Sequence, residues 1–237
     1  MSDNEGDTQE NPEYSERPEA TPAFEPREGL RVGLPWERLE PGMTPGGLME
    51  SARLVLFTPT DAFRMMRLEG ALTAPFVFLV ALGTLGTFFG LVWQSWSQAV
   101  MGTIGGADFV SLLGTNTLGV MSFVLAPFFV VLGALIATAV HHVFLLLFGG
   151  APQPPEVTLR VVCYAWGANY LWMVLPLCGG LIGTIWCIVA TVVGLREAHG
   201  VPGGRATAAV LVPYLIVACC LMMLLPILAA STIAALQ

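Results

Sequence analysis

From about Ala71 onward the chain is written in long apolar runs, at 71 to 93, 118 to 148, 161 to 177, 179 to 195 and 207 to 234, broken by short stretches holding the few charges. Runs of about 17 to 25 apolar residues match the length of helix that crosses about 30 Å of hydrocarbon, whereas a soluble surface helix would alternate with a polar face. The pattern predicts an all-α, polytopic integral membrane helical bundle of about five transmembrane helices over 71 to 237. The second run, 31 residues long, would measure about 46 Å as a straight helix and is expected to tilt, kink at Pro127 or protrude. The third holds only six Leu, Ile, Val or Phe residues in seventeen, a weak drive for insertion alone. It is expected to enter with the fourth as a tight hairpin, crossing fully or re-entrant, turned by Pro176-Leu177-Cys178-Gly179-Gly180. Pro213 and Pro226 should bend the fifth.

The pattern changes twice upstream. Residues 47 to 70 mix apolar groups with Arg53, Arg64 and Arg67, and Thr58-Pro59-Thr60-Asp61 has the form of a helix start, with Pro at the first position and an acid in the first turn. Two short interfacial amphipathic helices are expected, arginines at anionic headgroups and Leu54, Phe57, Phe63 and Met66 inserted; an ordinary connector is the alternative. Residues 1 to 46 alternate acids with prolines and bury too little to offset ordering entropy, so they read as a disordered acidic tail. One island, Gly33-Leu34-Pro35-Trp36-Glu37, interrupts it and is expected to dock on headgroups or a partner, with Trp36 an interfacial anchor.

Composition agrees with the pattern: 55% of residues are hydrophobic and only 11% charged, too few to clothe a soluble fold. The net charge of −7 belongs to the tail, because residues 1 to 50 hold 12 acids against 4 arginines and the rest 5 acids against 6 arginines. No basic run tracks phosphates, which speaks against nucleic-acid binding. The opening MSDNEGDTQE lacks the basic start and early apolar stretch of a secretory signal, so the first span is expected to direct its own insertion. Arginines precede span one and recur between spans two and three and between four and five, while the 94 to 117 loop carries only Asp108. The positive-inside rule then places the N-terminus in the cytosol and Gln237 outside, with Trp93 and Trp96 at the outer interface; in a bacterium the membrane is the cytoplasmic one.

Candidate chemistry is sparse. The five cysteines form no C-x-x-C pair and read as small buried hydrophobes. Intramembrane polar groups are His141, His142 and Asn169. Adjacent histidines point about 100° apart on a helix and do not readily share a metal, and each is expected to bond a neighbouring helix unless a carboxylate approaches. Asn169 should face the bundle and bond another helix, or else contact a polar substrate. Gly86 and Gly90, Gly179 and Gly183, and Ala190 and Gly194 have the spacing that lets backbones approach, within the chain or between copies. Glu156 and Arg160 stand in the favourable order for a helix pair. With Arg196, Glu197, His199 and Arg205 they are expected to form a polar cytosolic cap that meets headgroups or a partner.

Four stretches, residues 33 to 37 (GLPWE), 56 to 64 (LFTPTDAFR), 156 to 164 (EVTLRVVCY) and 194 to 206 (GLREAHGVPGGRA), resemble the bacterial branch of the Yip domain family, related to eukaryotic Ypt/Rab-interacting membrane proteins. The resemblance spans roughly residues 33 to 230. It implies a five-span bundle with a cytosolic N-terminus and, for the eukaryotic relatives, vesicle traffic, binding of prenylated small GTPases and membrane shaping. This tail is short and acidic where those relatives carry their GTPase-binding segment, which counts against small-GTPase binding here. The leading expectation is a non-enzymatic membrane scaffold or adaptor with no cofactor, acting on membrane lipids and in homo- or hetero-oligomers. The alternative is a small transporter or channel for an uncharged or lipid-like solute. An intramembrane enzyme would need a G-x-S-x-G elbow, a carboxylate pair or a metal site, and no span offers one.

Overall fold

A computed structural model describes residues 31–38, 43–105 and 109–235. Residues 1–30 and 39–42 of the expected tail, and Asp108, lie outside the described residues. Every regular element among those described is helical. A 3-10 turn, Pro35–Glu37, precedes α1 (Pro45–Phe57), α2 (Pro59–Met65), α3 (Thr73–Gly105), α4 (Phe109–Leu147), α5 (Pro155–Asn169), a second 3-10 turn (Tyr170–Val174), α6 (Gly179–His199) and α7 (Gly203–Ala235).

Local chemistry sets the boundaries. The Thr44 hydroxyl caps α1 by accepting from the Gly47 N–H at 3.1 Å, and Pro59 opens α2 with Asp61 in its first turn. Helix α6 ends at Gly200, whose φ of 64° is the left-handed cap conformation, and the Val201 N–H closes back on the Arg196 carbonyl. The 94 to 117 loop is not found as expected: α3 continues to Gly105 and α4 begins at Phe109. No proline stands between Pro75 and Pro127, so no ring interrupts the backbone ladder of α3 after its first turn.

Four helices are long and apolar enough to cross a membrane: α3, α4, α6 and α7. The third expected span is different. Helix α5 has 15 residues, about 22 Å, and reaches full bilayer depth only with the 3-10 turn that continues it. It forms the central post, with twelve of its residues buried. Helix α3 runs parallel to it, because Trp36 and Arg160 reach residues 70–74 at one end while the Trp93 indole donates to the Met173 carbonyl at the other, 3.1 Å away. Helix α6 returns through the predicted turn, where Leu177 takes a φ of 64°. The polar end of the bundle thus collects the starts of α3, α5 and α7, the ends of α4 and α6, and the short α1 and α2.

Helix crossings are made close by small residues. A side chain at Gly86 would meet the Tyr170 carbonyl at 2.6 Å, one at Gly167 the Phe78 ring at 2.8 Å, and one at Gly194 Val161 at 2.5 Å. Gly90 faces open space, with nothing within 4 Å. The main core lies toward the polar end, where Leu34, Trp36, Phe63, Met66, Phe78 and Tyr164 pack together. Phe63 and Met66 therefore fill the protein's own core, contrary to the expectation that they insert among headgroups, whereas Phe57 is exposed.

Candidate functional site

Three polar knots lie at that end, two of them built around the carboxylates of Glu37 and Glu197 and one around the Thr158 hydroxyl. The first is built around Glu37. One carboxylate oxygen accepts from the Tyr164 hydroxyl at 3.0 Å and lies 3.9 Å from the Arg160 guanidinium. The other accepts from the backbone N–H groups of Leu34 and Arg67, both at 3.0 Å. Arg160, 2% exposed, donates to the carbonyls of Gly70 and Ala71. Trp36 donates from its indole to Ala74 at 2.8 Å, and its backbone N–H donates to the Ser51 hydroxyl. The Phe78 ring bridges Trp36 to Tyr164, edge-on to the latter at 4.9 Å. Both charges are buried, and the hydrogen bonds to Glu37 and from the outer Arg160 nitrogens offset part of that cost, while the buried Arg160 Nε has no partner.

These contacts correct two expectations. Arg160 is interior and is not part of a surface cap or a pair with Glu156, which is exposed; the local spacing loses to a carboxylate that arrives from the N-terminal segment together with backbone acceptors. Trp36 is likewise 5% exposed and anchors to the bundle itself, since its indole finds a carbonyl there.

The second knot joins three helices. His142 of α4 and His199 of α6 each place a ring nitrogen 2.9 Å from the Thr158 hydroxyl of α5. One hydroxyl carries one proton, so at least one imidazole presents its N–H to that oxygen. His199 is buried, which corrects its placement on the cap: its ring is held inside by Thr158. His141 is also buried, its Nδ1 lacks a hydrogen-bond partner and its ring lies 6.2 Å from that of Tyr214. Among the described residues neither adjacent histidine bonds a carboxylate, and no group of three His, Cys, Asp or Glu side chains could hold a metal ion.

The third knot is half-exposed. Glu197 accepts from Arg64 at 2.8 Å and from Arg196 at 2.6 Å, linking α2 to α6. Arg31 donates to the Glu197 carbonyl and to those of Phe63 and Met66. Burial lowers the Arg31 pKa while the Glu197 charge opposes that, and the hydrogen bond to Glu197 raises that of Arg64. Arg205, exposed, donates to Gly149 and pins α7 to the end of α4. Arg53 is exposed and Arg67 half-buried.

Asn169 departs from its expected role in another way. It is buried, but its amide N–H donates to Ala165 on its own helix at 2.6 Å, not to a neighbour, and its Oδ1 has no partner. Glu37, Tyr164, Thr158 and Arg31 were not singled out from sequence. The signal for Glu37 was present in the apolar island around it, and Tyr164 stands one turn beyond Arg160.

Against this geometry, the family model described as Yip1 domain matches residues 53–225. No curated protein and no solved structure matches the chain.

Proposed function

The chain belongs to the Yip1 domain family, an integral multi-pass membrane protein by its apolar helices, and from that premise we propose that it is a non-enzymatic membrane scaffold or adaptor with its polar end in the cytosol. One observation carries the reading. The charged side chains of the described helices gather at one end, the interior ones absorbed by internal bonds and the outward ones, among them Arg53, Glu156 and Arg205, left exposed. A transport path would want ionisable or polar groups bridging the midplane, whereas a platform wants its charge at the surface, near anionic headgroups or a partner, at about 1 kcal/mol per basic group.

Reconstitution tests this. The full chain in anionic vesicles should cluster or deform them without solute flux, and Arg53→Gln with Arg205→Gln should weaken that effect. Saturable flux of an uncharged solute would replace the scaffold with a transporter.

A further inference from the structure

Toward the far half of the bundle, where α5 gives way to its 3-10 turn, α5, α6 and α7 do not close fully on one another. A cavity of about 200 Å³ remains, lined by Trp166, Asn169, Tyr170, Thr184, Cys187 and Tyr214 among others. Three observations say what it is suited to hold. The Asn169 side chain, 5% exposed, keeps a carbonyl oxygen with no hydrogen-bond partner, and the buried Trp166 indole N–H has none either. An acceptor and a donor left unpaired away from water each cost a desolvation penalty, so both favour an occupant that bonds them. No charged side chain lines the cavity. Thr184 and Tyr214 are exposed on the outer surface of the bundle, Tyr214 to 40%, so the opening faces lipid.

Depth narrows the occupant. Asn169 is the last residue of α5, about 21 Å from Pro155 along the helix, which leaves it roughly 9 Å inside the far face of a bilayer core of about 30 Å. A charged or zwitterionic headgroup would pay heavily to reach that level, whereas an uncharged lipid with one hydroxyl loses only a hydrogen bond that Asn169 restores. We infer that this lateral cavity binds the hydroxyl of an uncharged, single-hydroxyl lipid, which donates to the Asn169 Oδ1, while its chains lie along the exposed face of α7. This goes beyond the scaffold reading and does not depend on it.

The probe is a diacylglycerol bearing a photoreactive chain, placed with the full chain in phosphatidylcholine nanodiscs beside its O-methyl ether. Labelling of α5, α6 and α7 peptides should favour the free hydroxyl about five-fold, the ratio one hydrogen bond supplies. Asn169→Leu should abolish the preference. Thr184→Leu offers a second route: that hydroxyl bonds only its own helix at Gly180, so the change narrows the mouth without orphaning a neighbour, and it should lower labelling by both probes. Equal labelling by alcohol and ether, or a preference that survives Asn169→Leu in a chain still monodisperse in detergent, overturns the assignment. So does labelling at background with both probes, which would leave the cavity to water. If Asn169→Leu does not fold, the alcohol-to-ether ratio in the natural chain and the Thr184→Leu result decide.

Discussion

Helices α5 and α7 both thread the bundle, yet they solve opposite problems. Along α5 nearly every side chain is covered by protein, including a guanidinium, a threonine and an amide. Along α7 from Tyr214 to Leu224 the side chains face outward, with Met222 and Met223 exposed to 73% and 74%. Hydrocarbon is no better a solvent for a leucine than a neighbouring leucine is, so a lipid-facing helix must be uniformly apolar but need not fit anything. A central helix is freed from that demand and takes polar groups, of which Thr158, Arg160 and Tyr164 bond across to other elements. Apolarity in this chain therefore reports exposure to lipid, and the least apolar of the spans is the structural centre.

The sharpest way to break that contrast is to remove the charge at the centre. Arg160→Met leaves Glu37 buried without its counter-ion and should destabilise the protein by about 3 to 5 kcal/mol, read by denaturant titration in detergent. Pairing it with Glu37→Gln should cost clearly less than the two single changes added together, because the two groups are coupled. A loss under about 1 kcal/mol for Arg160→Met would mean that the knot is incidental. Next in size, Gly86→Ala drives a methyl into the Tyr170 backbone and should cost about 1 to 3 kcal/mol, whereas Gly90→Ala should be neutral. Equal effects at the two sites would show the pair acting as one seam between copies of the chain. Trp36→Phe keeps a ring against Phe78 but drops the bond to Ala74, an expected loss of about 1 kcal/mol in the same titration. The smallest change belongs to α7: Leu215→Ala, at a side chain 61% exposed, should stay within about 0.5 kcal/mol. A large loss there would reveal a protein contact over that face.

How far the sequence could be read follows the same division. Long apolar runs announce lipid-facing helices directly, which is why α3, α4, α6 and α7 were legible, as was α2 from its threonine and proline start; α1 begins at Pro45, inside the stretch expected to be disordered, and its Thr44 cap was not read. The turn at Pro176 to Gly180 was legible because its residues permit little else. Helix α5 was legible as a weak span but not as the central post, since burial on all sides leaves no periodic signature. The candidate site was harder. Arg160 has a plausible partner one turn away in Glu156, and nothing local shows that the true partner is Glu37, 3.9 Å from it in space and far from it along the chain. Trp36 beside a proline in an acidic stretch looks like a headgroup anchor until the Ala74 carbonyl is placed beside it. His199 and Thr158 meet only because α5 and α6 form a hairpin whose open end aligns them, a register that spacing alone leaves undetermined.

The Glu37 knot also bears on how the chain is threaded. Residues 31–38 are synthesised before any span, and Arg160 only after α3 and α4. The two ionic groups can meet only if the N-terminal segment waits on the side of the bilayer where α5 begins. A chain inserted with that segment on the opposite side would hold a carboxylate and a guanidinium apart across the hydrocarbon, each without its counterpart. The contact therefore serves as a checkpoint on topology: only the correctly threaded chain can close it, and it cannot close before α3 and α4 have been made.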